Sequence, residues 1–120
     1  MTKPDKQAAS RRAQRNKGLA EMALLILLRA RPLYGLELLQ RLNAEAGLEV
    51  ADGTIYPMLH RLEKAGEVEA VWRTDTENGR PRKYYALTVA GRETTTRLIE
   101  DWRAVRARLD QLIKEAERHD

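Results

Sequence analysis

The chain has 120 residues, about the length of one domain, and with 33% charged residues and no phenylalanine its core must consist of aliphatic side chains. The absence of cysteine excludes disulfides and thiolate zinc sites and favours an intracellular compartment. The longest apolar run, Met22 to Leu28, is too short to span a bilayer, and the basic N-terminus is unlike a secretory signal, so we expect a cytoplasmic protein.

The positive charge is concentrated at the N-terminus. Residues 1–18 hold six cations and one acidic residue, Asp5, whereas the rest of the chain holds 16 cations and 17 anions, for a net charge of +4 overall. This segment has no apolar periodicity, so we expect a disordered arm or a helix that forms only on binding. A basic arm suits nucleic acid, and a solvated tail that aids solubility is the alternative.

Three helices are predicted after the arm. Residues 19–30 are apolar on nearly every side, which is typical of a buried helix, and Arg31-Pro32 ends it. A second helix runs from Tyr34 or Gly35 to Ala46 and stops at Gly47. The third lies in DGTIYPMLHRLEKAG, residues 52–66, and Gly66 closes it.

The third helix has two different faces when it is unrolled at about 100° per residue. One face is apolar, with Ile55, Met58, Leu59 and Leu62, and the opposite face carries Pro57, His60, Arg61 and Lys64, flanked by Tyr56 and Thr54. Cations and hydrogen-bonding groups suit phosphates and base edges, and an ordinary solvated face is the alternative. If Thr54 caps this helix, Pro57 falls in the first turn, where its missing N–H breaks no intrahelical hydrogen bond. If Asp52 caps it, Pro57 lies just past the first turn and we expect a small distortion of the helix.

A β-hairpin is predicted next, because the apolar period becomes alternating in EVEAVWRT (67–74) and RKYYALT (82–88), with a turn at Asn78-Gly79. Trp72 alternates with charged residues and is expected in the core. The second half of the hairpin supplies Arg80, Arg82 and Lys83. Asp75 and Glu77 would repel phosphate, so we expect the tip to point away from it.

The last helix is predicted over about 89–118, with Thr88 as its N-cap. It carries an apolar seam with a period of 3.5 residues over a length of about 40 Å: Leu98, Trp102, Val105, Leu109 and Leu112. A helix of this length extends beyond a small domain, so we expect the seam to pack on a second copy of the chain. The alternative is that it covers the chain's own first helix.

Three helices followed by a hairpin is the order of a winged helix-turn-helix, so the predicted fold class is mainly α with a small β-hairpin (α+β). We divide the chain into a basic arm (1–18), a winged helix-turn-helix domain (19–88) and a dimerisation helix (89–120). In such domains the third helix enters the major groove and the hairpin wing contacts the backbone or the minor groove. No glycine-rich phosphate loop or metal-ligand cluster is visible, so we expect no enzyme activity, cofactor or metal.

Three blocks, LYGLELLQRL (33–42), GTIYPMLHRLEKAG (53–66) and GRPRKYYALTVAGR (79–92), together with the long terminal helix, resemble the PadR family of bacterial transcription regulators over about residues 19–118. The resemblance implies a homodimeric winged-helix repressor of inverted-repeat operators, in which the C-terminal helix packs on the partner's N-terminal helix region. Together with the face of the third helix, it makes these residues the candidate DNA contacts: Tyr34, Thr54, Tyr56, Pro57, His60, Arg61, Lys64, Arg80, Arg82 and Lys83.

Short multidrug-binding members of the family carry a tryptophan at the position of Trp102. There, paired indoles at the dimer centre sandwich planar aromatic ligands, which implies such an effector here; a tryptophan that only fills the interface is the alternative. The other function class left open is a winged helix that serves as a protein-interaction or scaffold module, with its basic arm docked to an acidic partner.

Overall fold

The computed structural model describes residues 5–74 and 78–120, which form four helices and a three-stranded antiparallel sheet. The helices are α1 (Lys6–Ala30), α2 (Gly35–Glu45), α3 (Asp52–Lys64) and α4 (Val89–Arg118), and the strands are β1 (Leu33–Tyr34), β2 (Val68–Arg73) and β3 (Arg82–Leu87). The molecule measures 60 × 41 × 24 Å. This architecture confirms the predicted mainly α fold with a β-hairpin and a long C-terminal helix.

The core lies between α1, α2 and α3 and against the inner end of the sheet. It consists of aliphatic side chains that are at most 2% exposed: Leu24, Leu25, Leu28, Leu33, Leu38, Leu42, Ile55, Met58, Leu59, Leu62 and Val68. Full burial of one such side chain stabilises a fold by about 1.5–3 kcal/mol. No helix within residues 5–74 and 78–120 is long and apolar enough to cross a membrane.

The sheet has the order β1-β3-β2, so the hairpin gains a third strand. Leu33 and Tyr34 pair with Tyr85 and Tyr84, and β2 pairs with β3 from Val68–Leu87 to Arg73–Arg82. The sequence did not predict β1, because two residues leave no periodic signal. The strand joins the middle of β3 to the start of α2.

The junction between α3 and α4 is built from backbone hydrogen bonds and the hydroxyl group of Thr88. Gly66 ends α3 with a φ of 75°, and the N–H groups of Gly66 and Glu67 donate to Glu63 and Leu62 at 3.0 Å, which is a Schellman motif. Thr88 caps α4 as predicted: its Oγ1 accepts from the Gly91 N–H at 3.0 Å and donates to the Gly66 carbonyl at 2.6 Å.

The described part of the arm, residues 5–18, is helical from Lys6 onward, whereas the sequence predicted either disorder or a helix that forms only on binding. Helix α1 begins at Lys6 and runs without a break into the buried segment, and the Asp5 side chain accepts from the N–H groups of Gln7 and Ala8 at 3.0 and 3.2 Å. The arm is rich in Ala, Arg, Lys and Gln, which favour helix, and it extends an existing helix, so no new nucleus is required.

The expected burial of Trp72 is wrong, since this side chain is 64% exposed. Strand β2 is buried at Val68 and exposed from Val71 onward, because it leaves the helical layer as it runs toward the hairpin tip. Trp72 pairs with Lys83 on this outer part of the wing. Asp75 and Glu77, expected to turn the tip away from phosphate, lie outside the described residues.

Candidate nucleic-acid interface

Helix α3 presents one polar face to the surface. Its apolar side chains are all at most 2% exposed, and the residues on its other side are exposed: Thr54, Tyr56, Pro57, His60, Arg61 and Lys64. The central part of this face consists of Pro57, His60 and Lys64, which lie opposite the core side of the helix. A continuous exposed surface with cationic and hydrogen-bonding groups can accept phosphates and base edges.

The start of α3 has no side-chain cap. Its N-cap is Ala51, so neither Thr54 nor Asp52 has the capping role considered for it, and the Thr54 N–H bonds to the Ala51 carbonyl at 3.0 Å. Pro57 is therefore the sixth residue of the helix, and it cannot donate the bond that Gly53 would otherwise accept. Amide groups at an uncapped helix start can meet solvent or a phosphate oxygen.

Tyr56 joins one flank of α3 to the start of α2. A Cβ atom on Gly35 would lie 2.6 Å from the Tyr56 Cε1, so the ring rests on the Gly35 backbone. Gly35 is the first residue of α2, and its N-cap, Tyr34, makes no side-chain capping bond. This contact brings the helix start of the LYG block beside the exposed face of α3.

An aromatic and cationic cluster lies on one face of the wing, between the middle of β3 and the outer end of the two wing strands. The Tyr34 and Tyr84 rings meet edge to face at 5.5 Å, the Arg82 Cζ lies 4.3 Å from the Tyr34 centroid, and the Arg73 Cζ lies 4.7 Å from the Tyr84 centroid. Cation–π contacts of this kind orient the guanidinium groups. Arg73 was not predicted as a site residue, because only strand pairing places it opposite Arg82.

The three predicted wing cations do not share one surface. Side chains alternate along a strand, so Lys83 projects to the face opposite Arg82, where its Nζ lies 5.3 Å from the Tyr85 centroid. Arg80 lies nearer the tip, where its backbone N–H donates to the Asn78 Oδ1 at 3.2 Å. Arg82 is therefore the predicted wing cation that stands with Tyr34 beside the start of α2.

Arg61 is tied to α1 by an ion pair. Its Nη2 lies 3.4 Å from the Glu21 Oε2, with the two side chains 52% and 33% exposed. Glu21 precedes Arg61 by 40 residues, so the sequence offered no local signal for the pair. A pair this exposed contributes only about 0–1 kcal/mol, and an approaching phosphate can compete for the guanidinium.

The seam of α4 is uncovered along most of its length. Leu98 packs partly against the core, whereas Trp102 is 38%, Val105 50%, Leu109 48% and Leu112 64% exposed. The alternative that the chain's own first helix covers the seam therefore applies only near Leu98. Ile113, which is 53% exposed, adds to the same apolar surface.

Among the described residues, no group of three or more His, Asp or Glu side chains is placed to hold a metal ion. Within residues 5–74 and 78–120, the polar surface around α3 and the apolar surface of α4 are the candidate sites.

Comparison with known proteins agrees with this architecture. Residues 24–97 match the model of the transcriptional regulator PadR-like family. The transcriptional regulator Rv3488 of Mycobacterium tuberculosis is 40% identical over 82 residues, which cover 68% of this chain and 67% of the relative. A PadR-like transcriptional regulator from Bacillus cereus is 31% identical with a TM-score of 0.77, over 83% of this chain and 96% of that one. A PadR family regulator from Eggerthella lenta is 29% identical with a TM-score of 0.76, over 91% and 94%.

Proposed function

The chain belongs to the PadR-like family of transcriptional regulators, which are not enzymes, and we propose that it is a repressor that binds an inverted-repeat operator as a homodimer. The observation that carries the proposal is the exposed polar face of α3, which has the start of α2 and the Tyr34–Arg82 cluster on one flank. Regulation of transcription requires access to the chromosome, so we place the protein in the cytoplasm.

In the proposed complex, α3 enters the major groove with Pro57, His60 and Lys64 toward the bases. His60 and Lys64 are long enough to reach base edges or phosphates, and Thr54 and Tyr56 supply hydroxyl groups at the two flanks. Two uncapped helix starts, those of α2 and α3, lie at this surface, and their amide groups favour phosphate oxygens. Arg82 then contacts the backbone from the wing.

A second copy of the chain is the proposed partner of the α4 seam. Four large apolar side chains on one side of a helix, each between 38% and 64% exposed, form a surface that a protein rarely leaves to water. Their spacing of three and four residues is that of a helix that packs along its length on another helix. Dimerisation would cover the seam and present two α3 helices to the two halves of an inverted repeat.

The proposed effector is a planar aromatic compound held at Trp102. The indole lies on the seam close to the core of the domain, so a twofold axis along α4 would bring two such indoles near one another. Stacked aromatic rings suit flat apolar ligands. A ligand between them would change how the two α4 helices pack and thereby the separation of the two α3 helices, which weakens binding to DNA of fixed spacing.

A binding titration tests the proposal. Fluorescently labelled DNA from upstream of the protein's own gene is titrated by anisotropy at several salt concentrations, with a shuffled duplex of equal length as control. We expect preference for the upstream DNA and an affinity that falls steeply with salt. Failure to bind either duplex at low salt would overturn the proposal and favour the protein-interaction module instead.

A further inference from the structure

The arm of α1 and the start of α3 form the two walls of an open groove of about 540 Å³. Arg12, Asn16 and Lys17 line it from the arm, and Thr54, Pro57 and Arg61 line it from α3. Three of the residues that sequence and family resemblance mark as DNA contacts therefore face the arm across this groove. The arm occupies the flank of α3 opposite the one that Tyr56 and Gly35 occupy.

The groove carries positive charge. Arg12, Lys17 and Arg61 line it together with one acidic residue, Glu49. Ala9 and Ala13 also line the groove from the arm, and their small side chains carry no charge. A groove that is open, cationic and next to the proposed reading face matches the chemistry of a phosphodiester strand.

The arm has a defined direction because it is helical and capped. Asp5 is the N-cap of α1, and the helix continues from Lys6 through Gly18 into the buried segment. At about 1.5 Å per residue, residues 6–17 extend roughly 17 Å from the domain. On a helix of this pitch, Arg11 and Arg15 lie on the side that faces away from the groove, and Arg15 donates to its neighbour Asn16 at 3.1 Å.

We propose that residues 6–17 form a second DNA-contacting helix, which follows the sugar-phosphate backbone beside the point where α3 enters the major groove. Arg12 and Lys17 contact the phosphates, and Arg61 meets the same strand from α3. The inference rests on the proposed DNA-binding function and adds to it a contact that lies in residues 6–17, outside the stretch that matches the family model.

Two charge-matched double variants test the proposal. Arg12→Gln with Lys17→Gln removes two cations from the groove, and Arg11→Gln with Arg15→Gln removes two from the opposite side. The measurement is the slope of log affinity against log salt for the upstream duplex. Each lost phosphate contact lowers the magnitude of the slope by about 0.9. The groove variant loses two contacts in each protomer of the proposed dimer, so we expect its slope to fall by about 3.6 and that of the control variant by less than about 0.5.

The outcomes are distinct. An equal loss in both variants would show that the arm acts as diffuse positive charge and would overturn the proposal, as would an unchanged slope in both. If the wild-type protein binds no DNA, the proposed function itself fails and the inference fails with it. A loss confined to the groove variant supports the contact.

A second pair of variants changes the direction of the arm and keeps its charges. Gly18 has open space around it, since an added Cβ would meet nothing within 4 Å. Gly18→Ala keeps α1 continuous. Gly18→Pro removes the hydrogen bond from the backbone N–H of residue 18 to the carbonyl of residue 14, and proline is well suited to the first turn of a helix, so the segment after residue 18 stays helical while the arm can change direction. We expect Gly18→Pro to lower the magnitude of the salt slope as much as the groove variant does. Gly18→Ala should bind DNA with the wild-type salt slope. Wild-type binding by Gly18→Pro, with the fold confirmed by circular dichroism, would overturn the proposal.

Discussion

The ring of Tyr56 rests on the backbone of Gly35, at a place where a single added methyl group would lie 2.6 Å from the ring carbon Cε1. Tyr56 is 55% exposed and Gly35 is buried. The exposed face of α3 thus depends on a residue at the start of another helix. The atoms that an added Cβ would meet are at the far end of a side chain that can turn toward solvent.

Gly35→Ala is therefore expected to move Tyr56 and to leave the fold intact. The free energy of unfolding, measured in urea, should change by less than about 1 kcal/mol, because an exposed side chain can rotate away. Affinity for the upstream duplex should fall, because the hydroxyl of Tyr56 leaves the proposed interface. In a Tyr56→Ala background, Gly35→Ala should change neither the free energy of unfolding nor the DNA affinity any further. If Gly35→Ala lowers the affinity equally with and without Tyr56→Ala, the two residues are not coupled.

Gly91→Ala is expected to destabilise the fold strongly. A Cβ at this position would lie 1.9 Å from the Glu67 carbonyl oxygen, which belongs to the backbone and cannot rotate away. Overpacking of this kind costs typically about 1–3 kcal/mol. Gly18→Ala is the matched control, since its Cβ meets nothing and alanine favours helix by about 1 kcal/mol. A Gly91→Ala protein as stable as wild type would contradict the packing of α4 on this carbonyl.

Lys64→Ala should weaken DNA binding more than Arg61→Ala does. Both side chains are exposed, but the Glu21 carboxylate already partly neutralises Arg61. We expect Lys64→Ala to lower the magnitude of the salt slope by about 1.8, which corresponds to one phosphate contact in each protomer of the dimer, with little change in the free energy of unfolding. Lys114→Ala, at an exposed position near the end of α4, is the control. If Lys114→Ala and Lys64→Ala lower the slope equally, the exposed face of α3 has no special role.

Leu109→Glu is expected to convert the protein to a monomer, as measured by light scattering coupled to size-exclusion chromatography. The side chain is already 48% exposed in the single chain, so the domain fold should persist. A carboxylate in the middle of an apolar interface lacks a partner and opposes association. Ala107→Glu introduces the same group on the opposite side of α4 and should leave the oligomeric state unchanged. A wild-type protein that is already monomeric would refute the proposed dimer.

The two tryptophans allow the effector site to be located by fluorescence. Trp72→Phe leaves Trp102 as the indole that reports, and Trp102→Phe leaves the exposed Trp72. A planar aromatic dye should quench the fluorescence of Trp102 in the Trp72→Phe variant in a saturable manner. The dye should also release this variant from labelled DNA. The second variant should show neither effect. Saturable quenching confined to Trp102→Phe would place the dye on the wing and refute the proposed site.

The candidate site was predicted in part. The two faces of α3 followed from residue spacing, and the structure exposes the polar one. The capping role of Asp5 is also of a kind that a sequence can indicate, because its side chain accepts hydrogen bonds from the backbone N–H groups of residues only two and three positions later. Arg73 and the separation of Lys83 from Arg82 were not, because both depend on the register of the sheet.

Features that depend on residues close together in the chain could be predicted from the sequence. Helical spacing marks α2, α3 and α4, Gly66 ends α3, Thr88 caps α4, and alternation marks the two strands of the wing, since each signal arises within about one or two turns of backbone. Which surfaces meet could not be predicted in this way. The exposure of Trp72, the Tyr56–Gly35 contact and the position of the arm beside α3 depend on how separate elements pack, and no spacing within one element encodes that arrangement.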